Sequence, residues 1–120
     1  HALAMETAID IQAESFVREL AAAIIAPRGG ECLACYLDRV LRDAPCDGSL
    51  RLARTYRDAL APRAVALEGR LESGGGFCDC EVLMNVYWSK TDEVRPCRGA
   101  RRGSTKPCDL WLRRRRGDRW

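Results

Sequence analysis

The pair Cys32-Leu33-Ala34-Cys35 constrains this chain more than any other feature, because it opens an apolar helical stripe and belongs to a set of seven cysteines among 120 residues. The others are an isolated Cys46, the close pair Cys78-x-Cys80, and Cys97 and Cys108. Such a set must be cross-linked, buried or bound to metal. A disulfide framework is disfavoured, because seven cannot all pair and no secretion signal precedes them. The opening segment carries Glu6, Asp10, Glu14 and Glu19, and its longest apolar stretch, Leu20 to Pro27, is too short to span a bilayer. The sequence therefore predicts a cytoplasmic protein without membrane insertion, whose thiols stay reduced. Buried thiols acting as small apolar groups account for one or two positions but not for close pairs. Redox chemistry is disfavoured because the CxxC does not follow a strand in a βαβ pattern. Zinc fits best: it takes four tetrahedral thiolates, and a CxxC brings two sulfurs to one ion beside a helix N-terminus that favours the anionic form.

Spacing leaves the choice of four ligands open. In one assignment Cys32 and Cys35 join Cys97 and Cys108, folding the C-terminal part back onto the CxxC helix and leaving Cys46, Cys78 and Cys80 as a separate trio. In the other, Cys32 and Cys35 join Cys78 and Cys80, since alternate residues of a strand share one face.

The length suits one domain with a modest core. Residues 1–4, before Met5, read as an expression remnant, which leaves a zinc-binding domain over 5–112 and a basic tail over 113–120. Setting that remnant aside removes the sole histidine, His1. Phe16, Val17, Leu20, Ile24 and Ile25 predict a helix over 10–26 after Asp10, stopped by Pro27 and Gly29-Gly30. Leu33, Tyr36, Leu37, Val40 and Leu41 predict a second helix ending near Asp43 to Pro45. Leu50, Ala53, Tyr56 and Leu60 form a third, capped by Asp47 or Ser49 and ended by Pro62. Ala64, Leu67 and Leu71 form a fourth, closed by Gly74-Gly75-Gly76, a run that also permits close backbone approach. The period then changes to two: Cys78, Cys80, Val82, Met84, Val86 and Trp88 read as one side of a strand, with Asp109 to Arg113 around Trp111 as its partner. The predicted class is mainly α, four helices with a short C-terminal β element, a small zinc-stabilised α+β domain.

From Arg95 to Trp120 ten Lys or Arg face two Asp, a net +8, so the remainder carries −5 against the overall +3. Arg98, Arg101, Arg102, Lys106 and Arg113, Arg114, Arg115 and Arg116 could grip phosphates, with Trp111 and Trp120 to stack on bases. The plainer alternative is a solvated tail, with Trp111 as a core plug beside Cys108. Asp79 and Glu81 flank Cys80 without a third partner for acid–base work and read as solvated or as neighbours that hydrogen-bond to metal ligands. A cysteine nucleophile has no histidine base here, which argues against catalysis by that route.

Cys46-Asp47-Gly48-Ser49-Leu50-Arg51, followed by Gly75-Gly76-Phe77-Cys78-Asp79-Cys80-Glu81-Val82-Leu83, resembles the bacterial domain-of-unknown-function family numbered 2695, over roughly Cys32 to Tyr87. The CDCEVL core is specific, and Ser49 stands where the CDxTLR-like element has threonine. The CxxCYLxR start, Cys32 to Arg39, and the RRGSTKPC ending, Arg101 to Cys108, look like an actinobacterial-type branch. The resemblance implies a mainly helical fold ending in a short β element, with no assigned activity. It also implies a core site at Cys46, Cys78 and Cys80, often completed by a histidine where this chain has Gly48, and a second four-Cys site where the extra cysteines occur together. On that basis Cys32, Cys35, Cys97 and Cys108 are the expected complete Zn²⁺ site, and Cys46, Cys78 and Cys80 a possible second one. The functions consistent with these features are a zinc-stabilised interaction module with an unknown protein partner, a nucleic-acid-binding regulator using the basic segment, and a zinc-dependent hydrolase or thiol sensor.

Overall fold

The computed structural model describes residues 22–113 together with residues 13, 15, 16, 18 and 20; the expected remnant over 1–4 and all of the expected tail but Arg113 lie outside them. Of the helix expected over 10–26, the described residues from 13 to 25 are helical, and the helix ends ahead of Pro27. Three further helices follow: α1 (Leu33–Leu41), α2 (Arg51–Leu60) and α3 (Leu67–Ser73). A short helix α4 (Asp79–Glu81) runs directly into a π-helical turn, Val82–Val86, and then into β1 (Tyr87–Ser89). That strand pairs antiparallel with β2 (Trp111–Arg113), Trp88 lying opposite Leu112, to close a two-stranded C-terminal ladder on a mainly helical body.

The core follows the helical stripes. Leu33, Tyr36, Leu37 and Val40 of α1 are buried against Leu52, Ala53 and Tyr56 of α2, Leu67 and Leu71 of α3, and Val82 and Val86 of the π turn. Tyr36 and Tyr56 pack with ring centroids 5.6 Å apart. Each sends its hydroxyl out of the apolar region to a carbonyl, Tyr36 to Ile25 at 2.6 Å and Tyr56 to Glu31 at 2.7 Å, so neither buried phenol is left unsatisfied. Arg57 bridges α2 to Glu68 of α3 at 3.1 Å.

The strand expected from Cys78 to Trp88 is mostly helical instead. Over the helical part, Asp79 to Val86, the buried positions are Asp79, Val82 and Val86, a spacing of three and four, whereas Met84 is exposed. The alternation of apolar residues there coexists with a helical pattern, and two contacts decide between them. Gly76 lies so close to the π turn that a Cβ on it would sit 3.0 Å from methyls of both Val82 and Val86, so the expected close approach at the glycine run selects the helical face. Asp79 supplies the second contact. Expected to be solvated or to attend a metal ligand, it is 1% exposed, and its two carboxylate oxygens accept the N–H groups of Leu52 at 2.9 Å and Ala53 at 3.0 Å. These are first-turn donors of α2, which lack partners within the helix. Its own N–H returns to Ser49 O at 3.0 Å. Asp47 and Ser49, the expected caps, do less: Ser49 Oγ accepts from Arg51 N at 3.2 Å, and Asp47 holds Ser49. Burial pushes the Asp79 carboxyl above its ordinary range despite the two backbone donors.

Glu31 joins the preceding helix to α1. Its carboxylate takes a two-pronged bond from Arg39, Nε and Nη2 each at 2.9 Å, and Arg39 Nη1 and Nη2 also reach the carbonyls of Ile24 and Ala26. Burial opposes ionisation of Glu31, but the bonds and charges of Arg39 and Arg28 outweigh it and hold the carboxyl below its ordinary range.

Replacing Asp79 by Ala strips two buried N–H groups, and the expected loss is about 2 kcal/mol of unfolding free energy in urea titration. Asp79→Asn, which keeps one acceptor oxygen, loses less. Because the folded-state pKa of Glu31 is depressed, its contribution is present above the unfolded carboxyl pKa of about 4.3 and disappears as pH falls through the folded value. Glu31→Gln should therefore lower stability at neutral pH and flatten the acid limb of the stability profile, read by thermal melts across pH.

Candidate metal centre

The sulfurs of Cys32, Cys35, Cys97 and Cys108 all lie within 4.8 Å of one another, at the N-terminus of α1. Cys32 is the N-cap of that helix, in extended conformation, and its sulfur accepts the N–H of Cys35 at 3.3 Å. The CxxC spacing thus does two things: it caps the helix with a sulfur and places the second sulfur one turn along, where the helix dipole favours thiolate. Cys97 arrives from the long segment after β1. Its sulfur accepts N–H groups from Cys32 at 3.2 Å and Gly99 at 3.3 Å, and Ala100 N donates to Gly30 O at 2.8 Å, which fixes the segment against the turn before α1. Gly99 makes this bend at φ +100°, a region that other side chains rarely adopt. Cys108 is buried with its sulfur 3.7 Å from that of Cys35. Trp111 of β2 directs its indole N–H at Cys35 Sγ, 3.2 Å away.

Four thiols this close cannot all ionise unaided, because each thiolate disfavours the next. A hydrogen bond from the Cys35 thiol, against burial and with backbone help from Cys35 and Cys108, brings Cys32 down to about 5. The same bond to Cys32, reinforced by burial, drives Cys35 upward, with the Trp111 indole opposing. Burial likewise pushes Cys97 up against its two N–H donors. A cation at the centre of the four sulfurs would take the place of the retained protons. The cluster could hold a metal ion on these grounds.

Cys46, Cys78 and Cys80 form a second gathering on the other side of the sequence choice. Cys78 and Cys80 flank the buried Asp79 at the start of α4, and the Cys46 thiol interacts with both side chains and with the backbone at Cys80 and Gly48. These contacts outweigh burial and lower Cys46, while burial first, then Cys46, raises Cys80 to about 11. The structure therefore brings Cys32 and Cys35 to Cys97 and Cys108 and leaves the trio apart. Gly48 stands at φ +84° with open space around it.

The basic residues are distributed. Arg98 pairs with Asp109 at 3.2 Å, Arg101 and Arg102 border a groove of about 330 Å³ with Glu31, and Lys106 and Arg113 line a separate cleft. Arg114, Arg115 and Arg116 lie outside the described residues. Among the described residues no helix is long and apolar enough to cross a membrane.

Fold and site together define a small helical domain with a four-cysteine cluster across the base of its CxxC helix. Residues 33–85 match the model of a family described as a protein of unknown function (DUF2695). An uncharacterised protein of Mycobacterium bovis and uncharacterised proteins from two strains of Mycobacterium tuberculosis are each 38% identical over 56 residues, 47% of this chain and 57% of theirs. The chain thus spans little more than half the length of these relatives. No solved structure matches it. The trio lies within the family segment, whereas Cys97 and Cys108 lie beyond it.

The role of Trp111 as a donor to sulfur was not visible in the sequence, which suggested a core plug; its position three residues after Cys108 was the only signal. Trp111→Phe keeps the ring and removes the donor. If the cluster holds metal, this variant should weaken metal affinity about tenfold in chelator competition with the fold retained, as loss of an outer hydrogen bond to a ligand does.

Proposed function

We propose that the chain is a zinc-stabilised interaction module of the cytoplasm, a domain over 5–112 with a basic tail over 113–120, in which Cys32, Cys35, Cys97 and Cys108 hold one structural Zn²⁺. The observation that carries this reading is the mutual distance of the four sulfurs, within 4.8 Å. Tetrahedral zinc with Zn–S bonds of about 2.3 Å requires sulfurs about 3.8 Å apart, and the Cys35 to Cys108 separation is 3.7 Å. Contraction of the remaining distances is a matter of side-chain rotation. Four thiolates close the coordination sphere, which suits a structural ion and leaves no position for an activated water. The ion would join the CxxC helix to a segment more than sixty residues away, so its binding free energy is folding free energy.

The interaction role rests on what is left uncovered. Leu112 of the ladder is 47% exposed. Phe77 and Met84 are more exposed still. Apolar side chains of this size on a small domain suit a protein partner. A second zinc at Cys46, Cys78 and Cys80 is the lesser part of the proposal: these thiols interact with one another, but among the described residues it is the four-cysteine cluster whose ligand atoms lie within metal-binding distance.

Zinc content per chain, measured on protein purified without added metal and again with Cys97→Ser and Cys108→Ser together, tests the assignment. The expected result is the loss of one zinc, from two to one or from one to none, with a lower melting temperature. Retention of the full zinc content in the double variant would move the ligands elsewhere, and a metal-free protein with freely titrating thiols would sink the reading altogether.

A further inference from the structure

A cleft of about 640 Å³ opens between the loop from Gly103 to Asp109, the corner at Ala64 and the two-stranded ladder. Three cations line it from three different elements: Arg70 from α3, Lys106 from the loop and Arg113 from β2. Arg70 is held in place by Thr105, a buried residue whose hydroxyl accepts from Arg70 Nη2 at 3.1 Å. Among the described residues none of the three cations has a carboxylate within ion-pair distance, and Asp109, the acid in the lining, is engaged by Arg98 at 3.2 Å. The buried Tyr87 phenol at the cleft wall registers the arrangement: burial raises it, and the charges of Arg113 and Arg70 both act to lower it.

Like charges gathered around one concavity repel, and an anion placed between them relieves that repulsion while gaining charge-assisted hydrogen bonds. Guanidinium groups present parallel N–H donors that match phosphate oxygens, and the Lys106 ammonium supplies a point charge. Trp111 and Pro107 are also in the lining of the cleft, and an indole offers a surface on which a planar ring can pack. The volume falls in the usual range for small-molecule sites, about 300–1,000 Å³.

We propose that this cleft binds a small phosphate-bearing ligand of mononucleotide size, its phosphate held by Arg70, Lys106 and Arg113 and its planar group against Trp111. None of the three cations is a ligand of the proposed zinc, but the cleft adjoins that site: Cys108 is in its lining, and Trp111 donates to Cys35 Sγ. The two share the loop that ends at Cys108.

Isothermal titration of the full chain with AMP and with inorganic phosphate tests the assignment, with zinc content and melting temperature measured on the same samples so that loss of metal is distinguished from loss of the cleft. Saturable one-to-one binding is expected, tighter for AMP than for phosphate. Arg70→Gln and Arg113→Gln should each weaken AMP binding by about tenfold, the scale of one charge-assisted contact. Arg63→Gln, which removes the same charge from an exposed position outside the cleft, should leave it unchanged. The proposal is overturned by absence of saturable binding to either probe, by phosphate binding as tightly as AMP, or by an equal loss in Arg63→Gln. It is also overturned by binding confined to single-stranded oligonucleotide with steep salt dependence, which would make the basic surface a nucleic-acid track.

Discussion

The segment between β1 and β2 is held to the helical body chiefly by the close approach of four sulfurs at the N-terminus of α1. Few apolar side chains hold the segment between the two strands: Cys97, Ala100 and Leu110 are only partly buried, and the bond from Ala100 to Gly30 is its main backbone anchor to the helices. The sulfurs supply what apolar area does not. Cys32 caps a helix and Cys35 faces Cys108. Cys97 turns two backbone N–H groups toward its own sulfur, so the backbone is already arranged around anionic sulfur.

The helical body is held by a different device. Asp79 joins the start of α4 to the start of α2 through two accepted bonds and one donated bond, and the glycine run behind it lets the π turn press against the end of α3. The two cysteines on either side of Asp79 are thereby delivered to Cys46. A single buried carboxylate positions both a helix and a thiol pair, which explains why the residues around it read as one compact motif.

Much of this was legible in the sequence. The stripes of α1, α2 and α3 follow helical spacing closely, and the ladder between Trp111 and the end of the Cys78–Trp88 segment was recognisable from its residues. The segment from Asp79 to Val86 was not, because Val82, Met84 and Val86 satisfy a period of two while Asp79, Val82 and Val86 satisfy a helical one. Local pattern could not rank these; the partner of Asp79 lies 26 and 27 residues away. The grouping of the cysteines was open for the same reason. Spacing states which sulfurs are neighbours along the chain, and the partner of the CxxC is chosen by the ladder, which carries Cys108 back to α1. Trp111 belongs to both arrangements, and its sequence neighbours Leu110 and Leu112 concealed its polar role.

The ladder has a consequence for the order in which the chain acquires its structure. Its strands are separated by about twenty residues with no helix or strand of their own, and closing a loop of that length costs roughly 2.7 kcal/mol before any contact is made. Contacts of α1 with α2 and of α2 with α3 span shorter connections, so nucleation belongs to these helices. The C-terminal segment docks afterwards, onto a surface whose Cys32 and Cys35 are already in place. Folding is thus sequential by construction, with a helical body that precedes its own clasp, and the late step is the one sensitive to the state of the thiols.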